Sequence, residues 1–305
     1  MNNYLQFNNH MLLHPTNSSK YFSGIIDPIN LPNLTIRVEF SQGYTPNQGI
    51  SRTQVSSNPN VWDITVDIEG FMLLFSRNEY LLKVLACNTY GPEGYEMFLG
   101  QMCGFCPNLT NVSWFNLSNA RECGRMFEGC EKITSLPEFS FDRSVQSDTS
   151  DLDLANFCAE TKITSVNFRN CRPKWSAYMF RGCSELLYGP DIDLSLSIEA
   201  FSMFTDCTKL RSTPDYDIHS ANNINYMYEN CTSLTTIPDL TLSPNLTHCV
   251  MTFCECRNVS GGILRMYNKL KNISTLTDHG SCFHNCGVDS PTGAAELAQI
   301  PSDWK

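Results

Sequence analysis

Apolar runs long enough to cross a bilayer are missing from this sequence. The opening residues, Met1 to Phe7, carry neither the basic segment nor the apolar stretch of a secretory signal, so export by the general route is not expected. Charge is scarce too, at 17% Asp, Glu, Lys and Arg, and the net charge is -10. No basic stripe is visible, which argues against nucleic acid as a partner. Gly-x-Ser-x-Gly, His-Glu-x-x-His, a phosphate-cradling glycine loop and a dinucleotide fingerprint are all absent. The expectation is therefore a non-enzymatic protein with no catalytic residue, no cofactor and no membrane insertion. No heptad or collagen-like period marks a trimerisation stem, and homo-oligomerisation stays open.

Cysteine, by contrast, is abundant: fifteen residues, an odd number. A disulfide framework belongs to small exported domains, which this chain does not resemble. The cysteines follow a phrase instead, Met-aromatic-x-x-Cys-x-x-Leu or Ile, usually with Pro four residues later. It reads Met126-Phe127 to Cys130, Ile133 and Pro137; Met179-Phe180 to Cys183, Leu186 and Pro190; Met203-Phe204 to Cys207, Leu210 and Pro214; Met227-Tyr228 to Cys231, Leu234 and Pro238. Looser copies place Cys106, Glu160, Cys256 and Cys286 in the cysteine slot. The slots then fall at 106, 130, 160, 183, 207, 231, 256 and 286, with extra residues in the two 30-residue steps. A fixed period of this length signals stacked units that share one core. Cysteines at one position of such units read as free thiols, packed like small hydrophobes with a weak donor toward the backbone.

Inside each copy, the ring and the cysteine lie three apart, which reads as one helical turn followed by a short strand broken by Pro. The predicted fold class is an α/β repeat, a leucine-rich-repeat-like solenoid with short parallel strands over residues 96–289. Residues 1–95 read as a small β-rich domain or N-terminal cap. In it, 34–40 and 62–68 alternate as strands, Glu69-Gly70 turns a hairpin into 71–75, and a capping box at Ser76–Glu79 opens a short helix over 80–85. Residues 290–305 read as a capping helix, with Leu297 and Ile300 toward the last copy. The segment 144–151 reads as an exposed loop.

Three constellations carry candidate chemistry. Glu138, Asp191, Asp215 and Asp239 each follow a repeat Pro, with Asp193 and Asp217 two positions beyond two of them. Stacked one above another, such carboxylates repel unless solvated or bridged by a cation such as calcium. Trp114, Trp175, Tyr188 and Tyr216 lie outside the core phrase and could stack sugars if exposed. Cys103-x-x-Cys106, and His248, Cys249, Cys254, Cys256, His279, Cys282, His284 and Cys286 near the C-terminus, have zinc-ligand chemistry. Several of these cysteines are already explained by the repeat, so no metal site is expected.

The phrase Met-Phe-x-x-Cys-x-x-Leu-x-x-x-Pro resembles the BspA-like leucine-rich repeat proteins, and the resemblance covers about two thirds of the chain. Met stands where that family often has Ala. The closing residues 294–305 resemble the ends of repeat proteins from gut bacteria and their tailed phages. What the resemblance implies is binding: surface adhesins, host-contact proteins and virion or fibre components. Lacking a visible export signal, the chain is expected to be a tailed-phage virion protein made in the host cytoplasm, in contact with other virion proteins or a host-surface protein or glycan. A bacterial cell-surface adhesin is the alternative.

Overall fold

The computed structural model describes residues 34–49, 51–66, 71–88, 97–113, 115–117, 120–141 and 152–305. A six-stranded mixed sheet occupies the N-terminal part. β1 (Thr35–Phe40) lies between β3 (Val61–Thr65) and β4 (Leu81–Asn88), antiparallel to both, and β2 (Ser51–Gln54) pairs with β3 at the edge. Alternation explains the central strand, since Ile36, Val38 and Phe40 point into the core. On the other face Arg37 forks onto Asp63 and Lys83 reaches Glu39. β4 also pairs in parallel with β5 (Asn111–Val112) and β6 (Phe115–Asn116), which carries the sheet past residue 95. Two sequence expectations fail here. Residues 81–88 form a strand, not a helix, although Asn78 Oδ1 accepts the N–H groups of Tyr80 and Leu81 as a cap would. Residues 71–77 are a run of turns, not a hairpin strand; the hairpin turn at Glu69-Gly70, the loop 144–151 and Trp114 lie outside the described residues.

The predicted α/β repeat, a leucine-rich-repeat-like solenoid, is also corrected. Among the described residues the chain is mostly β, in small antiparallel, parallel and mixed sheets, and only two short helices occur: α1 (Ile263–Leu270) and α2 (Pro291–Leu297). No copy of the repeat phrase contains a helical turn. The ring-to-cysteine segment is a succession of overlapping turns, and the reason lies in how it uses its N–H groups. Around Phe204, the N–H groups of Thr205 and Cys207 close local turns onto Ser202 and Phe204, whereas those of Ser202, Phe204 and Asp206 bond Asn225, Met227 and Glu229 of the next copy. A helix would spend all of these groups internally.

That alternation requires left-handed backbone at two positions per copy, two residues before the ring and two after. It is met at Leu73 and Arg77, Gln101 and Phe105, Ser202 and Asp206, Tyr226 and Asn230, and in the other copies; glycine takes the role only at Gly129 and Gly182. An ordinary side chain in this conformation costs roughly 1–2 kcal/mol. The stacking therefore has to hold the backbone against its own preference. Part of what holds it is a ring column: Phe180–Phe204, Phe204–Tyr228, Tyr228–Phe253 and Phe253–Phe283 stack with centroids 5.3, 5.4, 5.5 and 5.6 Å apart. Such contacts add about 0.5–1.5 kcal/mol each beyond the area they bury.

The 71–77 run belongs to the same stack. Phe75 is its ring, Asn78 takes the cysteine slot, and the N–H groups of Leu73, Phe75 and Arg77 bond the carbonyls of Gly100, Met102 and Gly104. In the copy after Cys130, Thr161 rather than Glu160 takes the slot: Cys158 stands in the ring's backbone position, Thr161 Oγ1 donates to its carbonyl at 2.8 Å, and Glu160 pairs outward with Arg181. At the other end, α2 is opened by Ser290, whose Oγ accepts the Gly293 N–H. Gly293 has no alternative there, because a Cβ would lie 2.0 Å from the Val259 carbonyl oxygen. Beyond it, buried Trp304 accepts the Phe283 N–H and stacks on His279 with centroids 4.0 Å apart.

Candidate functional site

The fifteen cysteines are all buried and unpaired. Six repeat thiols form a ladder, each donating to the carbonyl of the ring position one copy back: Cys106 to Phe75 (2.9 Å), Cys130 to Cys103 (3.0 Å), Cys183 to Cys158, Cys207 to Phe180 and Cys231 to Phe204 (3.1 Å each), and Cys256 to Tyr228 (3.0 Å). The carbonyls of Phe75, Phe180, Phe204 and Tyr228 already accept a local N–H, as Phe204 does from Cys207, so the thiol fills the second lone pair. Burial pushes the thiols of Cys87, Cys207, Cys231 and Cys286 well above their ordinary range, which suits packing and disfavours nucleophilic or metal-binding thiolate. Among the described residues no three His, Cys, Asp or Glu side chains come together as a metal site.

The acidic residues after the repeat prolines are not an open column of carboxylates. Asp239 pairs with Lys269 and Arg265, both supplied by α1, a helix the sequence reading missed inside the 30-residue step before Cys286. Lys269 above all, and Arg265 with it, hold the Asp239 carboxyl below the usual range. Glu138 pairs with Arg169 at 2.9 Å and Asp193 with Arg172 at 3.0 Å. Asp217 accepts from its neighbour His219, and Asp215 accepts the Asp239 N–H at 2.6 Å. Asp191 stands exposed. Lysine and arginine side chains of this chain answer three of these six charges.

The aromatic candidates separate in the same way. Tyr216 is core: it is 3% exposed, its hydroxyl donates to the Pro190 carbonyl at 2.7 Å, and its ring stacks on Phe204. Tyr188 is 54% exposed and sits on a parallel bridge to Ser212, beside the acidic row. Trp175 is half-buried, with the Lys174 ammonium 4.9 Å from its ring.

Trp175 belongs to a row that the sequence reading did not find. Glu122, Asp153, Trp175, Glu199, Asn223, His248 and Asp278 are joined one to the next by parallel bridges. Each stands five residues before the ring position of its copy, and this constant offset was the signal available in the sequence. At Asp153 and Asn223 the side chain also folds the backbone: Asp153 Oδ1 accepts the Ala155 N–H at 2.7 Å and Asn223 Oδ1 that of Asn225 at 2.9 Å. Partial burial pushes the Glu122 and Asp153 carboxyls up; Asp153 adds to the effect on Glu122, and Glu199 to that on Asp153. Alongside runs a second set of half-buried rings, Tyr178, Phe201 and Tyr226. Tyr178 meets Phe201 edge-on at 4.8 Å and lies under the Arg181 guanidinium at 5.4 Å.

Against protein-family models, curated proteins and solved structures, the chain matches none. Its chemistry has to be read from the face itself. Trp175, Tyr178, Phe201 and Tyr226 offer partly open aromatic surface, and Glu199, Asn223, Lys174 and Arg181 offer acceptors and donors beside it. Rings beside amide, carboxylate and cationic groups suit a ligand with one apolar face and many hydroxyls, or a polar protein surface.

Proposed function

We propose that this protein is a non-enzymatic binding and structural component of a tailed-phage virion, made in the host cytoplasm, in which the row from Glu122 to Asp278 and its neighbouring rings contact a protein or a glycan. One observation carries the choice between cytoplasmic and exported origin: fifteen buried cysteines, none of them paired. Proteins that fold in oxidising compartments use cysteine for disulfides, while a thiol ladder of this kind suits a reducing cytoplasm, from which a virion is released by lysis. A bacterial surface adhesin, which the repeat phrase also suggests, would fold its thiols outside that protection.

The reading predicts the intact chain among the proteins of purified particles, and its absence from them would refute the virion role. Binding is tested with Trp175→Ala and Tyr178→Ala against a panel of bacterial surface glycans and the remaining virion proteins. Loss of a bound partner with an unchanged melting temperature supports the face; retention of every contact removes it.

A further inference from the structure

The face from Glu122 to Asp278 has a period and a bounded length, and both bear on what it holds. Its row residues come from consecutive copies joined by parallel bridges, so the row advances about 4.8 Å per side chain. The rings beside it fall in three consecutive copies: Trp175 and Tyr178, then Phe201, then Tyr226. At the offset of Tyr178 and Tyr226, the flanking copies carry Asn156 and Met251 instead. Several groups on the face are held in place by their neighbours. Asn223 Oδ1 accepts the Asn225 N–H, and His248 Nδ1 lies 2.7 Å from Thr247 Oγ1. Tyr178 is held edge-on by Phe201 and from above by Arg181, and Trp175 carries the Lys174 ammonium. A face ordered in this way loses little entropy when a ligand arrives.

We propose, on the reading that this row is a binding face, that its ligand is a neutral, linear, equatorially linked polysaccharide lying along the stack axis from Trp175 to His248, one sugar per copy. Period is the first reason. An extended chain of such sugars advances per residue by a length close to the copy spacing, so each sugar meets the same offsets in turn. Chemistry is the second. The C–H face of a sugar suits half-open rings, and its hydroxyls both donate and accept, so they replace water around Glu199 and Arg181 alike. A protein surface would bury those charges beside the rings, and each one left unmatched would be costly. Charge is the third. Glu122, Asp153, Glu199 and Asp278 share the row and the chain carries -10 overall, which repels a polyanion.

Titration calorimetry of the full-length protein tests this with β-1,4-linked oligomers of glucose, mannose, xylose and N-acetylglucosamine, from disaccharide to hexasaccharide, and with galacturonate oligomers as the charged comparison. The expected result is binding of at least one neutral series, with affinity rising at least about 10-fold from two sugars to four and little beyond, and no binding of galacturonate. Phe201→Ala should weaken that binding at least about 10-fold. Asn223→Asp keeps the acceptor for the Asn225 N–H and should weaken it with the melting temperature unchanged. Failure of every neutral series, affinity independent of length or of both substitutions, or tighter binding of galacturonate overturns the proposal. If no neutral series binds but Trp175→Ala loses a virion protein, the face stands with a protein as its partner; if Trp175→Ala loses nothing, the face itself is refuted.

Discussion

The antiparallel sheet and the stack of turns solve the same problem, pairing backbone groups between neighbouring segments, in opposite ways. Between β1 and its partners, N–H and C=O groups are exchanged in both directions and the backbone stays extended. Between the turn segments of successive copies, the N–H groups all point toward the C-terminus and the carbonyls toward the N-terminus, while after the cysteine slot N–H groups such as those of Arg211 and Thr235 point back to the copy before, at Leu187 and Arg211. The sheet asks nothing unusual of its residues. Each repeat asks two residues to be left-handed, and accepts Tyr, Glu, Arg and Met there. Two-way pairing leaves the sheet without a direction, while each turn segment offers its donors to one neighbour and its acceptors to the other.

Substitutions that strike the left-handed positions separate the two regions most sharply. Ser202→Pro removes the N–H that bonds Asn225 and forces φ to about -65° where the backbone has φ 53°, so we expect a loss of about 3 kcal/mol or more in urea unfolding. Phe204→Ala takes one ring from the column and is expected to cost about 3–5 kcal/mol by the same measurement. Glycine has opposite signs in the two regions. Ser202→Gly relieves the left-handed strain and should stabilise by up to about 1 kcal/mol, whereas Val38→Gly in the extended core of β1 should destabilise by about 3 kcal/mol. Cys207→Ala removes one rung of the thiol ladder and should cost about 1 kcal/mol. The native thiols should also ignore a thiol reagent until the chain is unfolded, when all fifteen react.

The smallest effect is electrostatic. Folding raises the Glu122 and Asp153 carboxyls above their unfolded values, so their contribution to stability is fully present below the unfolded pKa of about 4 and is lost as pH rises through the folded values. Glu122→Gln with Asp153→Asn should therefore raise the melting temperature at pH 7 and leave it nearly unchanged at pH 3.5. The amide at 153 keeps an acceptor for the Ala155 N–H, so the comparison isolates charge.

Much of the arrangement could be read before any coordinates. Met126, Phe127, Cys130 and Ile133, with their equivalents, are fully buried in the order the phrase presents them. β1 and β3 follow from alternation. The errors came where one spacing fits two backbones. A ring and a cysteine three apart share a face in a helix and also in this run of turns, and only the destination of the N–H groups tells them apart. Leu81 to Leu85 is apolar enough for a helix but pairs with β1 as a strand. The first copy was hidden because Asn78 stands for cysteine, and Glu160 was placed one residue away from the slot that Thr161 fills. The acidic residues were found, but their partners were not, since Arg265 and Lys269 reach Asp239 from a helix about thirty residues away. The row through Trp175, Glu199 and His248 escaped because its chemistry varies while its offset does not.

The one-way ladder is tested most directly by hydrogen-bond scalar couplings in labelled protein. Couplings are predicted from the amide nitrogens of Phe180, Phe204 and Tyr228 to the carbonyl carbons of Met203, Met227 and Thr252, all in the same direction along the stack. Couplings between residues four apart within 200–207, or from the turn segment of one copy back to the turn segment of the copy before, would contradict it.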